Sequence, residues 1–393
     1  MKVCYIHHAG YPQIGRTSFY EYSQKAAIYG LDVSVICTKD NRGLSNAGSA
    51  GANVTVYEIP VNDWSRRGDV KFALQAARIV RDIKPDIVHC FHFRGVSLIP
   101  LSLRRYRDRP RFLLDIRSGH LSSGMRGFTG RSINYLETHA FDAVAFISPQ
   151  IMKYAIGRNE LTNKPVFHFP LGVDWRVFAH VEDSTQKDFF WPLEIPDSAV
   201  VGIYAGELSK IRDLSPLLFA IAKVVAEQPI FNFVFLGDGS DLQNLTSLAM
   251  KLGIEEYVFF LGRKPYCEIP LYYHRSHIGI SYVPQSHVFD GQPALKLIEF
   301  MASGLAVVAT DTLGQRSTIS DGDNGLLVED DADAIAAAVL QLVCDVDMRK
   351  QLGDNARQSA KEYDWDFIFH SSIFPAYEQI LCRRDVSRFS ILL

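Results

Sequence analysis

The sequence has few cysteines, and none of them lies close to another along the chain. Its six cysteines form no Cys-x-x-Cys pair and no cluster with histidine. Structural zinc sites and disulfide frameworks both need cysteines at short, regular spacings. The sequence therefore predicts neither kind of site, and a reducing compartment, the cytoplasm, is the expected location.

Long hydrophobic runs are also missing. A helix that spans a bilayer needs about 20 consecutive apolar residues, and no segment of this sequence approaches that length. The chain starts with a strand pattern, KVCYIHH, instead of the apolar core of a signal peptide. We therefore expect any membrane contact to be peripheral, at the inner face of the membrane.

Negative charge is scarce in one part of the chain. Residues 94–131 contain nine arginines against Asp108 and Asp115, although the whole chain has a net charge of −3. Such a local excess favours an anionic partner, with an ordinary solvated surface as the alternative. We predict that LRRYRDRPR (residues 103–111) and Arg126 lie on the acceptor side, where a lipid-linked anion would draw the protein to acidic membranes. Nucleic acid is not an expected partner.

What the sequence does have is a regular alternation of strand and helix patterns. The strand patterns are almost continuously apolar, which is typical of parallel strands covered on both faces. One series occupies the first 180 residues and another follows residues 180–198: KVCYIHH, DVSVICT, NVTVYEIP, DIVHCFHF, RFLLDIR, DAVAFIS and PVFHFP, then VVGIYAG, FNFVFLGDG, YVFFLG, IGISYVP, LAVVATD and GLLVE.

A chain of 393 residues exceeds the size at which one hydrophobic core keeps growing. We therefore predict an α/β protein of two doubly wound, Rossmann-like domains, residues 1–180 and 195–365. A helical segment, residues 366–393, is expected to cross back to the first domain. Ligands bind beyond the carboxyl ends of the strands in such sheets, so the predicted active site is a cleft between the two domains.

The segment HVFDGQPALKLIEFMASGLAVVATD (residues 287–311) places Glu299 within an apolar helix pattern. A buried carboxylate without a partner is costly, so Glu299 needs donors from the protein, such as Lys296 on the same helix face, or hydroxyls from a ligand. Pro293 suits the first turn of this helix. The amides of Ala294 and Leu295 are then predicted to bind a phosphate at the helix N-terminus.

Several segments resemble the retaining glycosyltransferases of family 4, whose GT-B fold has two facing Rossmann-like domains. The resemblance covers nearly the whole chain and is strongest in VVGIYAGELSKIRDLSPLL, FVFLGDGSDLQNLTSLAMKLGIEEYVFFLG, LKLIEFMASGLAVVATD and ISDGDNGLLVEDDADAIAAAV. It implies transfer of a sugar, with retention, from a UDP- or GDP-sugar to an acceptor hydroxyl in polysaccharide or glycolipid synthesis. Neither a metal nor a cofactor is implied, because the nucleotide sugar is a substrate.

The resemblance also implies a set of site residues. The positions that match donor-binding residues are Gly15, Gly206, Lys210, Arg212, Gly237, Asp238, Arg263, Lys264, Asp290, Gly291, Gln292, Ala294, Leu295, Lys296 and Glu299. Catalytic roles fall on Arg117, His120, Arg212 and Glu299, with Arg212 at the diphosphate and Glu299 accepting hydrogen bonds from the ribose. Solvated loop charges remain the alternative for Lys210 and Arg212, and a structural role for His120.

Three positions depart from the family pattern. Glu207 stands where the family usually has arginine, and Gly291 replaces the first of two glutamates eight positions apart. Arg117 occupies the place of a histidine. Lys210 is then expected to supply the second phosphate cation, and His120 to replace the missing imidazole.

Two other functions fit the same fold. A sugar-nucleotide epimerase would use the same donor site, and a binding protein would keep the nucleotide pocket without turnover, which Glu207 and Gly291 would suit. A dehydrogenase is disfavoured, because the Gly-Asp-Gly turn at residues 237–239 lacks the third glycine of the dinucleotide fingerprint.

Overall fold

The computed structural model describes residues 1–11, 18–39, 53–61, 65–118, 124–157, 159, 161–180, 191, 195–286 and 289–389. The chain divides into two compact units. Unit 1 contains Met1–Leu171 and Trp365–Leu393, and unit 2 contains Gly172–Asp364.

Unit 1 is built around a sheet of seven parallel strands in the order β3-β2-β1-β4-β5-β6-β7. The strands are β1 (Lys2–Ile6), β2 (Asp32–Thr38), β3 (Val54–Ile59), β4 (Ile87–Phe91), β5 (Arg111–Ile116), β6 (Ala143–Phe146) and β7 (Val166–His168). The described helices along this part of the chain are α1 (Ser18–Ile28), α2 (Arg66–Ile83), α3 (Leu98–Ser102), α4 (Gly124–Thr138) and α5 (Pro149–Ile156).

Unit 2 repeats the arrangement with six parallel strands in the order β10-β9-β8-β11-β12-β13. They are β8 (Val200–Ala205), β9 (Phe231–Leu236), β10 (Val258–Phe260), β11 (Ile278–Ser281), β12 (Ala306–Thr310) and β13 (Leu326–Val328). Its described helices are α6 (Trp175–Ala179), α7 (Ser215–Glu227), α8 (Leu242–Leu252), α9 (Ile269–His274), α10 (Leu295–Ala302), α11 (Leu313–Arg316), α12 (Ala332–Cys344) and α13 (Val346–Ser359).

Helices α14 (Trp365–Ile368) and α15 (Phe374–Phe389) return to unit 1. They cover one face of its sheet together with α1, where Tyr377 packs in the same core as Phe19 and Tyr5. The opposite face is covered by α2 and α3, with Phe72 in the same core as Ile6. The strand order in both units reverses beside the first strand, as in Rossmann folds. The α/β class and the two doubly wound domains predicted from the sequence are confirmed.

The border between the units lies at Gly172, before the linker predicted at residues 180–198. The amide of Val173 donates to the carbonyl oxygen of Tyr363 over 2.8 Å. Because this hydrogen bond ties the segment to unit 2, residues 172–180 belong to that unit and not to the first domain.

Candidate functional site

The predicted donor residues between Gly206 and Lys264 lie on loops at the carboxyl ends of β8, β9 and β10. Gly206 N donates to Leu236 O (2.9 Å), and Gly237 N donates to Gly262 O (2.9 Å), so the three loops are joined backbone to backbone. Gly206 and Gly237 have φ angles of +150° and +143°. A Cβ atom at Gly237 would lie 1.8 Å from the carbonyl oxygen of Gly206. Only glycine therefore fits at this position.

Four charged residues predicted on these loops have different environments. Asp238 Oδ1 accepts a hydrogen bond from the next amide in the chain over 2.7 Å, so this carboxylate stabilises its own turn. Lys210 and Arg263 are exposed. Lys264 Nζ lies 5.6 Å from the centre of the Tyr272 ring. Lys210 and Arg263 are therefore the more accessible of the three cations.

Two other cations, Arg212 and Lys296, belong to one cluster around Tyr204. Lys296 Nζ lies 3.7 Å from the centre of the Tyr204 ring and donates to the carbonyl oxygen of Tyr282 over 3.0 Å. Burial raises the pKa of Tyr204 to about 12, and the Arg212 guanidinium beside its hydroxyl opposes this rise. Arg212 also lies over Phe289, with 5.2 Å from its central carbon to the ring centre.

The cluster has an unbalanced charge. Burial lowers the pKa of Lys296 well below its usual range, the neighbouring charge of Arg212 lowers it further, and Glu299 opposes both effects. Arg212 Nε is buried and has no hydrogen-bond acceptor within the part of the chain that the structure describes. Like charges that are partly withdrawn from water disfavour each other. An anion beside Arg212 and Lys296 would relieve this cost and supply the acceptor.

Glu299 is held by two tyrosines. It lies in α10, is only 6% exposed, and accepts hydrogen bonds from Tyr266 Oη at Oε1 (3.0 Å) and from Tyr273 Oη at Oε2 (3.1 Å). Burial, and then the charge of Glu299, raise the pKa of Tyr273 well above its usual value. Lys296, predicted as an alternative partner, donates a hydrogen bond to the carbonyl oxygen of Tyr282 and interacts with Glu299 through its charge. Protein groups therefore partner the carboxylate.

Sequence reasoning missed Tyr266 and Tyr273. They are seven residues apart in YCEIPLYYH, a spacing that places two side chains on the same face of an α-helix. However, Tyr266 lies in a 3₁₀ turn (Tyr266–Glu268) and only Tyr273 lies in α9. The spacing therefore did not show that both hydroxyls meet Glu299.

The loop before α10 is fixed by backbone contacts to α11. Asp290 Oδ1 accepts a hydrogen bond from Leu313 N (2.9 Å), and Gly314 N donates to Asp290 O (2.7 Å). A Cβ atom at Gly314 would lie 2.4 Å from the carbonyl oxygen of Gln292. Gly291 is buried in the same loop. One carboxylate oxygen of Asp290, a predicted donor-binding residue, therefore stabilises the start of α11.

Among the described residues, helix α10 has no side-chain cap, because its N-cap residue is Ala294. Its first helical residue is Leu295, so Pro293 precedes the helix. The prediction that Pro293 lies in the first turn is therefore wrong. An uncapped N-terminus leaves amide donors and the positive end of the helix dipole available to an anion. Lys296 lies in this first turn, so the helix start adjoins the cation cluster.

In unit 1, Arg117 lies just beyond the carboxyl end of β5. Its Nη1 donates to Tyr22 Oη (3.0 Å) and Phe169 O (2.7 Å), and its Nη2 donates to Ser18 Oγ (2.6 Å) and Pro170 O (3.3 Å). The guanidinium thereby joins the start of α1 to the segment after β7. The catalytic role of Arg117 stays a prediction, and these contacts do not favour it.

A buried polar chain next to Arg117 was not predicted. His89 Nδ1 is 2.7 Å from Tyr377 Oη, and His89 Nε2 is 3.4 Å from Asp115 Oδ2. Arg117 Nη1 lies 3.6 Å from the same carboxylate oxygen. Burial lowers the pKa of His89, against the opposing effect of Asp115. These contacts fix α15 to the sheet, and the 288 residues between His89 and Tyr377 explain why no local pattern revealed them.

The arginine-rich segment LRRYRDRPR (residues 103–111) leads into the amino end of β5. Arg117, in contrast, follows the carboxyl end of that strand. Ligands are expected at the carboxyl ends of the strands, whereas residues 103–111 lie at the amino ends. The prediction that these residues lie on the ligand side of the sheet is therefore wrong. Arg109 and Arg111, at the amino ends of the strands, form ion pairs with Asp142. Arg109 Nη2 lies 2.8 Å and Arg111 Nη1 lies 3.1 Å from Asp142 Oδ1.

Three predicted residues lie outside what the structure describes: Gly15 and His120 entirely, and Arg126 in its side chain. Within the described ranges, no helix combines the length and the hydropathy that crossing a membrane requires. The same ranges contain no group of three His, Cys, Asp or Glu residues that could hold a metal ion. Independence of metal and cofactor stays a prediction.

Two family profiles match the sequence. The family described as "Glycosyl transferase 4-like domain" matches residues 16–172, and that described as "Glycosyl transferases group 1" matches residues 185–359. The first range falls mainly in unit 1 and the second in unit 2, where the candidate donor site lies.

Curated relatives carry names of the same kind. The chain is 34% identical over 203 residues to a D-inositol 3-phosphate glycosyltransferase of Corynebacterium urealyticum, covering 50% of this chain and 47% of that protein. It is 28% identical over 195 residues to the putative glycosyltransferase EpsD of Bacillus subtilis, covering 49% of each. The matched region thus spans about half the length of these relatives.

Solved structures match over almost the whole chain. A glycosyltransferase from Rickettsia africae has a TM-score of 0.75 at 17% identity, covering 97% of this chain and 98% of that one. Anabaena HepE, in complex with UDP and glucose, has a TM-score of 0.70 at 16% identity, covering 96% and 100%. At these identities the likeness shows a shared fold.

Proposed function

Since this chain belongs to the GT-B glycosyltransferases with family 4-like domains, we propose that it transfers a sugar, with retention, from a UDP- or GDP-sugar to an acceptor hydroxyl. The donor proposal depends on one observation: two cations, Arg212 and Lys296, lie near each other at the uncapped start of α10. Two cations and a helix N-terminus form a site for a diphosphate.

The buried Nε of Arg212 favours an anionic diphosphate over a neutral ligand. It lacks an acceptor within the described chain, and a phosphate oxygen would satisfy it. Lys296 gains as well, because a negative charge beside it would offset the effects of burial and of Arg212. Lys210 and Arg263, both exposed, would add further positive charge at the edge of the site.

Glu299 would bind the ribose in an orientation set by two tyrosines. Each tyrosine hydroxyl donates to one oxygen of the carboxylate, and a carboxylate oxygen can accept more than one hydrogen bond. Tyr266 and Tyr273 would then orient the carboxylate so that it accepts from the ribose hydroxyls. In this proposal Glu299 binds the donor, and the tyrosines position Glu299.

In the proposed reaction the acceptor oxygen forms a bond to the anomeric carbon of the sugar. The bond from that carbon to the diphosphate oxygen breaks, and the proton of the acceptor hydroxyl passes to the departing phosphate. Negative charge develops on the diphosphate, where Arg212, Lys296 and the amides of α10 would stabilise it. The protein mainly positions the reactants and stabilises charge, so the proposal needs neither a metal nor a cofactor.

The proposed acceptor belongs to polysaccharide or glycolipid synthesis, in the cytoplasm or at its membrane face. The relative named for glycosylation of D-inositol 3-phosphate makes anionic acceptors the first class to test. The UDP in the HepE complex makes UDP-sugars the first donors.

The test combines a binding screen with product analysis. UDP- and GDP-sugars are first compared by thermal shift, where a ligand at about 100 times its dissociation constant should stabilise by about 2.7 kcal/mol. The donor found is then labelled in its sugar and incubated with acceptors. Label in an acceptor supports the proposal, an altered sugar on the nucleotide indicates an epimerase, and binding without either product indicates a binding protein.

A further inference from the structure

Helix α2 presents a long basic stripe to solvent. Five of its exposed basic side chains follow one side of the helix and its C-cap: Arg67, Lys71, Arg78, Arg81 and Lys84. The helix is well defined at both ends, because the side chain of Ser65 caps its first turn and Lys84 adopts a left-handed conformation at the C-cap. The stripe is therefore a fixed array of charge over nearly five turns.

A second basic segment continues this stripe. Arg104, Arg105 and Arg107 follow α3 and are exposed. A groove of about 310 Å³, lined in part by Arg81, Tyr106 and Arg107, joins this segment to the end of α2. We call the exposed side of residues 66–84, together with residues 101–107, the basic face.

Negative charge on the basic face is sparse. Nine exposed basic residues, Arg66 included, lie in its two segments, against one exposed acid, Asp82. Asp108 is exposed at its border, and Asp69 in α2 is turned to His8, with 3.3 Å between Oδ1 and Nδ1. A field of one sign over such an area attracts anionic surfaces.

Apolar side chains are exposed among these charges. Val70 is 40% exposed and Leu74 is 42% exposed in α2, and Leu101 and Tyr106 are 49% and 48% exposed in the second segment. Single exposed apolar residues are ordinary. Four within one basic face form a mixed surface, like the one that membrane-associated helices present to the interface, with basic side chains at the headgroups and apolar ones reaching the acyl boundary.

We propose that the basic face docks the protein onto an anionic lipid bilayer. Lipid fits this surface better than nucleic acid, because phosphate backbones are bound through charge and hydrogen bonds and offer no partner for Val70, Leu74 and Leu101. The docking surface lies on α2 and at the amino ends of the strands in the unit 1 sheet, and it shares no residue with the donor site. It stands independently of the proposed reaction.

The test measures binding of the full chain to vesicles of phosphatidylcholine with about 30 mol% phosphatidylglycerol, and to vesicles of phosphatidylcholine alone. Each basic side chain near such a surface contributes roughly 1 kcal/mol. The double variant Lys71→Gln/Arg78→Gln should therefore bind the anionic vesicles about 30-fold more weakly, which is about 2 kcal/mol at 1.4 kcal/mol per factor of ten. Leu74→Gln should remove part of the binding that persists at about 0.5 M salt, where charge is screened.

The matched control is Lys251→Gln/Lys350→Gln, which removes the same charge from exposed positions of unit 2 and should bind like the parent. Equal binding to both vesicle types, or equal loss in the two double variants, would overturn the proposal. So would absence of vesicle binding together with salt-sensitive binding to an RNA duplex, which would reassign the face to nucleic acid. Thermal unfolding of each variant shows whether a loss reflects the surface or the fold.

Discussion

Replacing Glu299 by glutamine separates its proposed ribose contact from its structural role. Glutamine keeps one oxygen to accept from Tyr266 or Tyr273, and its amide can donate to the other hydroxyl. We therefore expect Glu299→Gln to lower the free energy of unfolding by only about 1 kcal/mol, the difference between a charged and a neutral hydrogen bond. Glu299→Ala would remove the carboxylate that accepts from the buried Tyr273 hydroxyl, and since a buried donor left without its acceptor costs about 1 to 3 kcal/mol, the fold would also suffer.

Binding of the nucleotide should change more than stability. A hydrogen bond to a charged group contributes about 1.5 to 3 kcal/mol, so Glu299→Gln should weaken UDP binding by about 10- to 150-fold. Calorimetry with UDP and with pyrophosphate makes the comparison, because pyrophosphate lacks the ribose and should bind as it does to the parent. Unchanged UDP affinity in a folded variant would refute the ribose contact. An equal loss for pyrophosphate would show that Glu299 acts through the phosphate cations instead.

Three further predictions test other parts of the site. Arg212→Met should weaken UDP binding by about 10- to 150-fold and leave uridine binding unchanged, and equal losses for both ligands in calorimetry would contradict its phosphate role. Gly237→Ala should destabilise unit 2 by more than about 2 kcal/mol in denaturant unfolding, because its Cβ would lie 1.8 Å from the carbonyl oxygen of Gly206. The control Gly253→Ala has open space at φ +68° and should cost only about 1 to 2 kcal/mol. Excess chelator should leave the initial rate of sugar transfer unchanged, and a loss restored by a divalent ion would show that the enzyme needs metal.

The strands could be predicted from the sequence because burial on both faces leaves a local pattern. All five residues of β4 are buried, and the run DIVHCFHF is apolar enough to show it, despite His89. The border at Gly172 could not be found in the same way, since the segment is attached to unit 2 by hydrogen bonds to residues far along the chain, from Val173 to Tyr363 and from Trp175 to Asp364 among others. Composition marks linkers, whereas hydrogen bonds decide which unit a short segment joins.

The position of the arginine-rich segment could have been predicted. Residues 103–111 precede β5 and Arg117 follows it, and all strands of a parallel sheet point in one direction. Chain order alone therefore places residues 103–111 and Arg117 at opposite ends of the strands. Local charge favoured an anionic partner, but strand direction decides where that partner can bind.

Arg117 and Arg212 show why residue type alone does not identify a ligand site. A guanidinium has five N–H donors. Four hydrogen bonds to protein acceptors use most of this capacity in Arg117, and the carboxylate of Asp115 lies close to its charge. Arg212 has a buried Nε without an acceptor in the described chain and a second cation, Lys296, as its neighbour. The first arginine is satisfied by its own fold, whereas the second gains from an added anion, so only the second has a physical reason to bind a diphosphate.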